Sequence, residues 1–96
     1  MNEVFIIEFN TGFPANYLKQ VINMINELII ANHFSVKVKK LRRKAKISSE
    51  NRSMIHFYWR SLKFLEKKGF IYPIEGSKPS EYKLPITTID YFEVIK

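Results

Sequence analysis

Ninety-six residues, 46% hydrophobic and 26% charged, with a net charge of +7, describe one globular domain rather than an unstructured basic tail. The absence of cysteine excludes disulfides and thiolate metal sites. No apolar run reaches the roughly 18 residues of a membrane-spanning helix, and Glu3 and Glu8 bracket the first apolar run where a signal peptide carries basic residues, so a cytoplasmic protein is expected.

Taken in chain order, Val4-Phe5-Ile6-Ile7-Glu8-Phe9 is a β-branched and aromatic run that stops at the turn-forming Asn10-Thr11-Gly12, and it reads as a strand. A first helix is expected from about Pro14, a residue suited to the first helical position. Leu18, Val21, Ile22, Ile25, Leu28 and Ile29 recur at three- and four-residue steps and form its apolar face. Tyr17, Met24 and Ile30 lie outside that stripe, which points to burial on a second side and to a homodimer. Asn32 tolerates the left-handed conformation that ends helices. After an extended link, Phe34-Ser35-Val36, a second helix over 38–47 has a narrow apolar stripe of Val38, Leu41 and Ala45 and is otherwise basic.

Ser48-Ser49-Glu50-Asn51 is polar and reads as a turn that caps the next helix. The third helix runs from about Asn51 to Lys68, with Ser49 and Ser53 as the other possible starts. Ile55, Tyr58, Leu62 and Leu65 mark its core face, and Arg52, His56, Arg60, Lys63 and Lys67 the opposite face. Gly69 is its stop. Phe70 to Glu75 and Glu81 to Leu84 read as the strands of a hairpin around a loop of about five residues, with Pro73 confined to an edge. From Ile86 to Lys96, Ile89, Phe92 and Ile95 suit a short helix, while Tyr91 to Ile95 equally suits a strand that pairs with Val4–Phe9.

The charge is concentrated in one third of this chain. Between Lys37 and Lys68, twelve cationic residues face only Glu50 and Glu66, a local balance of +10. The residues before and after carry −2 and −1, from one cation against three acids and three cations against four. Such clustering is an electrostatic footprint for a polyanion. Enzymatic readings find no support. His33 and His56 stand 23 positions apart, the three glycines are isolated, and Ser48 and Ser49 carry no nucleophile signature. No catalytic residue, metal or cofactor is expected.

The order helix, link, basic helix, turn, helix, glycine, hairpin is that of a winged helix-turn-helix domain. Leu62-Lys63-Phe64-Leu65-Glu66-Lys67-Lys68-Gly69-Phe70-Ile71 resembles that family's junction between recognition helix and wing. Val36 through Ile47, followed by Ser48, resembles its link, second helix and turn. The resemblance covers Phe13 to about Leu84, with terminal segments 1–10 and 86–96 left for packing or dimerisation. Lys46 stands where the family turn often has Gly, Lys37 where a Ser or Thr cap is common, and the chain between Ser48 and Leu62 is longer than in compact bacterial versions. Size and Ile/Lys/Asn-rich composition are similar to small archaeal, plasmid or viral regulators of this type.

The resemblance implies an α+β domain that binds double-stranded DNA, as a transcriptional regulator or in partition, replication or chromosome architecture. It puts the exposed start of the third helix, Asn51, Arg52, Ser53, His56 and Arg60, against base edges. Lys39, Lys40, Arg42, Arg43, Lys44, Lys46, Ser49 and Lys63, with Lys78 at the wing tip, are its phosphate contacts. Two rivals keep the residues and change the role: a winged helix that binds an acidic protein, and a basic helix on anionic membrane, which the narrow apolar stripe disfavours. Basic helix faces can also be no more than a solubilising surface. Tyr58 and Trp59 are read as core or dimer-surface aromatics rather than base-stacking groups, and His56 as a surface histidine that need touch nothing.

Overall fold

In the computed structural model, residues 3–8, 15–76 and 81–94 are described. The order is β1 (Glu3–Glu8), α1 (Ala15–Ile30), β2 (Ser35–Val36), α2 (Val38–Lys44), α3 (Arg52–Lys67), β3 (Tyr72–Pro73), β4 (Tyr82–Lys83) and β5 (Ile89–Val94). The chain is therefore α+β, with three helices, an antiparallel three-stranded sheet and a separate parallel pair of strands.

The periodicity of α1 becomes the centre of the core. Leu18, Val21, Ile22, Ile25, Leu28 and Ile29 are buried, and α1 packs against α3 and α2, which pack against each other. From α3, Tyr58, Leu62 and Leu65 complete this core, with Leu41 from α2 and Val36, Ile71, Tyr82, Leu84 and Ile89 from the strands and their flanks. Burial holds the Tyr58 phenol above the ordinary tyrosine pKa, with the nearby Tyr17 a second cause. Ser61 is buried on the same face, its hydroxyl donating to Phe57 O at 2.8 Å. Beside this seam the Tyr17 and Phe57 rings stack with centroids 4.3 Å apart. The second apolar side expected of α1 is thus partly covered within the chain, while Ile30 is exposed.

All three helices stop in one way. In α1, Asn32 takes φ +66° and donates to Ile29 O, and His33 N–H donates to Leu28 O. In α2, Lys46 takes φ +58° and donates to Arg43 O, and Ile47 N–H donates to Arg42 O. In α3, Gly69 takes φ +84° and donates to Glu66 O, and Phe70 N–H donates to Leu65 O. Each is a left-handed cap that satisfies carbonyls left open by the last turn. Lys46 ends α2 at seven residues, three short of the expected 38–47, and Ile47 packs on the core from the turn.

The expected extended link, as β2, is the third strand of the hairpin sheet, in the order β2-β4-β3. Tyr72 pairs with Lys83 and Pro73 with Tyr82 on one side of β4, and Ser35 and Val36 pair with Lys83 and Tyr82 on the other. Pro73 is on the edge strand, where its missing N–H costs no ladder bond. The ladder of β3 is shorter than the expected 70–75, because Phe70 is used in the cap of α3. The C-terminal segment is a strand: β5 runs parallel to β1 with Glu3 opposite Ile89 and Glu8 opposite Val94. Asn26 of α1 fixes its start, donating through Nδ2 to Ile89 O at 2.9 Å and accepting from Ile89 N–H through Oδ1 at 2.7 Å. The expected start of the first helix at Pro14, the turn at 10–12 and the wing tip with Lys78 lie outside the described residues.

Candidate functional site

The third helix starts after Asn51, whose Oδ1 accepts from Met54 N–H at 3.3 Å. This cap decides among the three possible starts. It also occupies the oxygen that a bidentate contact with adenine uses. Arg52 and Ser53 follow in the first turn, both exposed. Arg52, His56, Trp59 and Lys63 then recur at steps of four, three and four, so they share one side of α3. Ser53, Arg60 and Lys67 lie round the helix from that stripe, and Arg60 is half-buried.

Two large apolar side chains of α3, Trp59 and Ile55, lie off the core. Trp59 is 45% exposed and belongs to the cationic stripe, not to the core. Its ring is 6.1 Å from that of His56, at 22°, and the Lys63 ammonium is 5.9 Å from its centroid. Ile55, expected on the core face, is half-buried and turned to a groove. The core is centred about one residue further round, on Tyr58, Ser61, Leu62 and Leu65.

That groove has a volume of about 960 Å³. One wall is α3, through Arg52, Ser53, Ile55, His56 and Trp59. The other is formed by Val38 and Lys39 at the start of α2, by Ser49 of the turn and by Tyr82 of β4. Tyr82 is 1% exposed, and its Oη is buried without a hydrogen-bond partner among the described residues. The Lys63 ammonium stands 5.9 Å from the Tyr82 ring. Tyr82, and after it Glu66 at 3.5 Å, raise the Lys63 pKa above the ordinary lysine value, although the ammonium and Oη are not in hydrogen-bond geometry.

The cations of α2 divide into two sets. Lys44 is paired with Glu27 of α1 at 2.9 Å, Arg42 Nη1 donates to Ile47 O at 3.0 Å, and Lys40 donates to Ser35 O at 3.3 Å beside His33. These three expected phosphate contacts are engaged in holding α2 to its surroundings. Lys39, Arg43 and Lys46 are exposed, and among the described residues no hydrogen bond or ion pair ties their side chains down. Lys39 and Arg43, four apart, share one side, and Lys39 reaches the groove.

Trp59, read as a core or dimer-surface aromatic, and Tyr82, read only as part of the returning strand, are groove residues that sequence reading gave no binding role. The period that places Arg52, His56 and Lys63 together also includes position 59, so Trp59 carried a signal that its residue type outweighed. The orphaned hydroxyl of Tyr82 left none. No group of His, Asp and Glu among the described residues has the arrangement of a metal site, and no helix among them is long and apolar enough to cross a membrane. No family model matches the chain, and neither a curated protein nor a solved structure is similar to it at a significant level.

Proposed function

We propose that this chain is a small winged-helix protein that binds double-stranded DNA, most simply as a transcriptional regulator, with no catalytic chemistry of its own. The observation that carries this reading is the coincidence of charge and shape. The third of the chain with a balance of +10 is α2, the turn and α3; Lys39, Arg43, Lys46 and Arg52 are exposed there, and Lys39 and Arg52 line the groove beside α3. A three-stranded sheet closed by the hairpin after α3 is compatible with a wing, which supports the fold part of the proposal.

In this reading α3 enters the major groove, where Arg52 has the guanidinium fork that matches guanine. Lys39, Arg43 and Lys46 take phosphates, a contact without sequence content. Lys40, Arg42 and Lys44 act through α2, keeping it seated. We further propose a homodimer. The β1–β5 face presents exposed Val4, Ile6 and Phe92, with the exposed Asp90 opposite Val4, and a two-stranded sheet is marginal unless something covers it. A second copy of the same face would bury both.

Selection of bound duplexes from a random pool, followed by variants, tests the roles. Arg52→Ala relaxes preference at one or two positions of the selected site, at about 1–3 kcal/mol of discrimination each. Arg43→Ala weakens all duplexes alike. Equal, sequence-independent effects of both variants contradict the division of roles, and a pool from which no duplex is retained contradicts the function.

A further inference from the structure

A reading helix presents hydrogen-bonding edges to a duplex, because paired bases are stacked and only their edges face the major groove. The exposed stripe of α3 departs from that requirement at its centre. Trp59 has one N–H donor and no acceptor, and what it offers is a flat apolar face. The surroundings of that face are specific: the His56 ring on one side and the Lys63 ammonium 5.9 Å from its centroid. Lys39 and Arg52 line the same groove. Tyr82 closes the groove from the β4 side and is itself buried. A volume of about 960 Å³ is ample for a nucleotide.

Aromatic rings interleaved with cations fit the two faces of an unstacked nucleotide, a base with a π-face and a phosphate with a charge. We propose that the groove between α3 and β4 holds one unstacked nucleotide of a bound nucleic acid strand. Its base lies on Trp59 and His56, and its phosphates among Lys39, Arg52 and Lys63. This rests on α3 being the nucleic-acid face, and it adds that the strand is single or locally unpaired there.

Trp59 is the only tryptophan in the chain, so its fluorescence reports on the groove directly. Four probes separate the cases: thymidine monophosphate, an oligothymidylate of about a dozen residues, a fully paired duplex of that length, and the same duplex with one central unpaired thymidine. The strand and the bulged duplex quench Trp59, whereas the paired duplex binds with little quenching. With labelled oligonucleotides followed by anisotropy, Trp59→Ala weakens strand binding about tenfold and duplex binding less than twofold, and Trp59→Phe restores most of the loss.

An unchanged fluorescence on adding the strand, or equal losses for strand and duplex in Trp59→Ala, overturns the proposal. Thymidine monophosphate binding as tightly as the strand also overturns it, and assigns the groove to free nucleotides. The two readings fail separately. Duplex binding without strand quenching removes only this one, and strand quenching without duplex binding removes only the duplex-binding function.

Discussion

Lys46 is a cationic residue at a position whose backbone favours glycine. Its φ of +58° puts a side chain in the left-handed region, at a site where the α2 cap needs that conformation. Keeping lysine there has a cost in stability, and its charge is one of three on α2 that remain untethered. Lys46→Gly is therefore predicted to raise stability by roughly 1 kcal/mol while lowering duplex affinity. Urea unfolding and a binding titration on the same preparation read the two effects. A variant that loses stability, or binds DNA as tightly as the parent, refutes one half of this account. Asn51 would face a similar double demand, since its Oδ1 caps α3 at the end proposed to meet DNA.

Among elements, the join of β5 to α1 is the least conspicuous and the most exposed to test. Asn26 bonds both the N–H and the C=O of Ile89, so Asn26→Ala leaves two backbone groups without partners. A loss of about 2 kcal/mol is expected, with faster amide exchange confined to β1 and β5. Exchange that accelerates evenly through α3 as well would show that the strands are not a separable unit. This join also marks the limit of what periodicity conveys. The α1 face, the hairpin, the edge position of Pro73 and the stops of α1 at Asn32 and α3 at Gly69 follow from local pattern or residue type and stand in the structure, whereas the stop of α2 at Lys46 comes earlier than its pattern indicates. The last segment could not be resolved that way, because its apolar residues fit both periods. A long-range bond from Asn26 contributes to the choice, and a single asparagine on a helix surface gives no sign of its partner. On α3 the stripe was legible except for Trp59, which was read as a core or dimer-surface aromatic and is not in the core. Size and hydrophobicity argued for burying Trp59, and the core had already been filled by Tyr58, Leu62 and Leu65.

At the scale of the whole molecule, the cationic surface and the exposed apolar residues of the β1–β5 sheet lie on different elements. The cations gather on α2, the turn and α3, while exposed Val4, Ile6 and Phe92 lie on the β1–β5 sheet, where Ile6 is paired with Phe92. In the proposed function, one surface would bind a polyanion while the other joins two copies, with the two α3 helices about one turn of DNA apart on a near-palindromic site. Sedimentation should find a dimer, and Phe92→Asp should shift it to monomer and weaken duplex binding. A parent protein that sediments as a monomer at micromolar concentration removes this part of the account. The central claim is that the exposed cations of α2 and α3 neutralise DNA phosphates. The most direct measurement is the affinity for a labelled duplex at several salt concentrations. Contacts from Lys39, Arg43, Lys46 and Lys63 predict a fall in log affinity against log salt with a slope of roughly −3 to −4 per protomer, at about −0.9 for each contact. Absence of binding at low salt, or an affinity indifferent to salt, would contradict it.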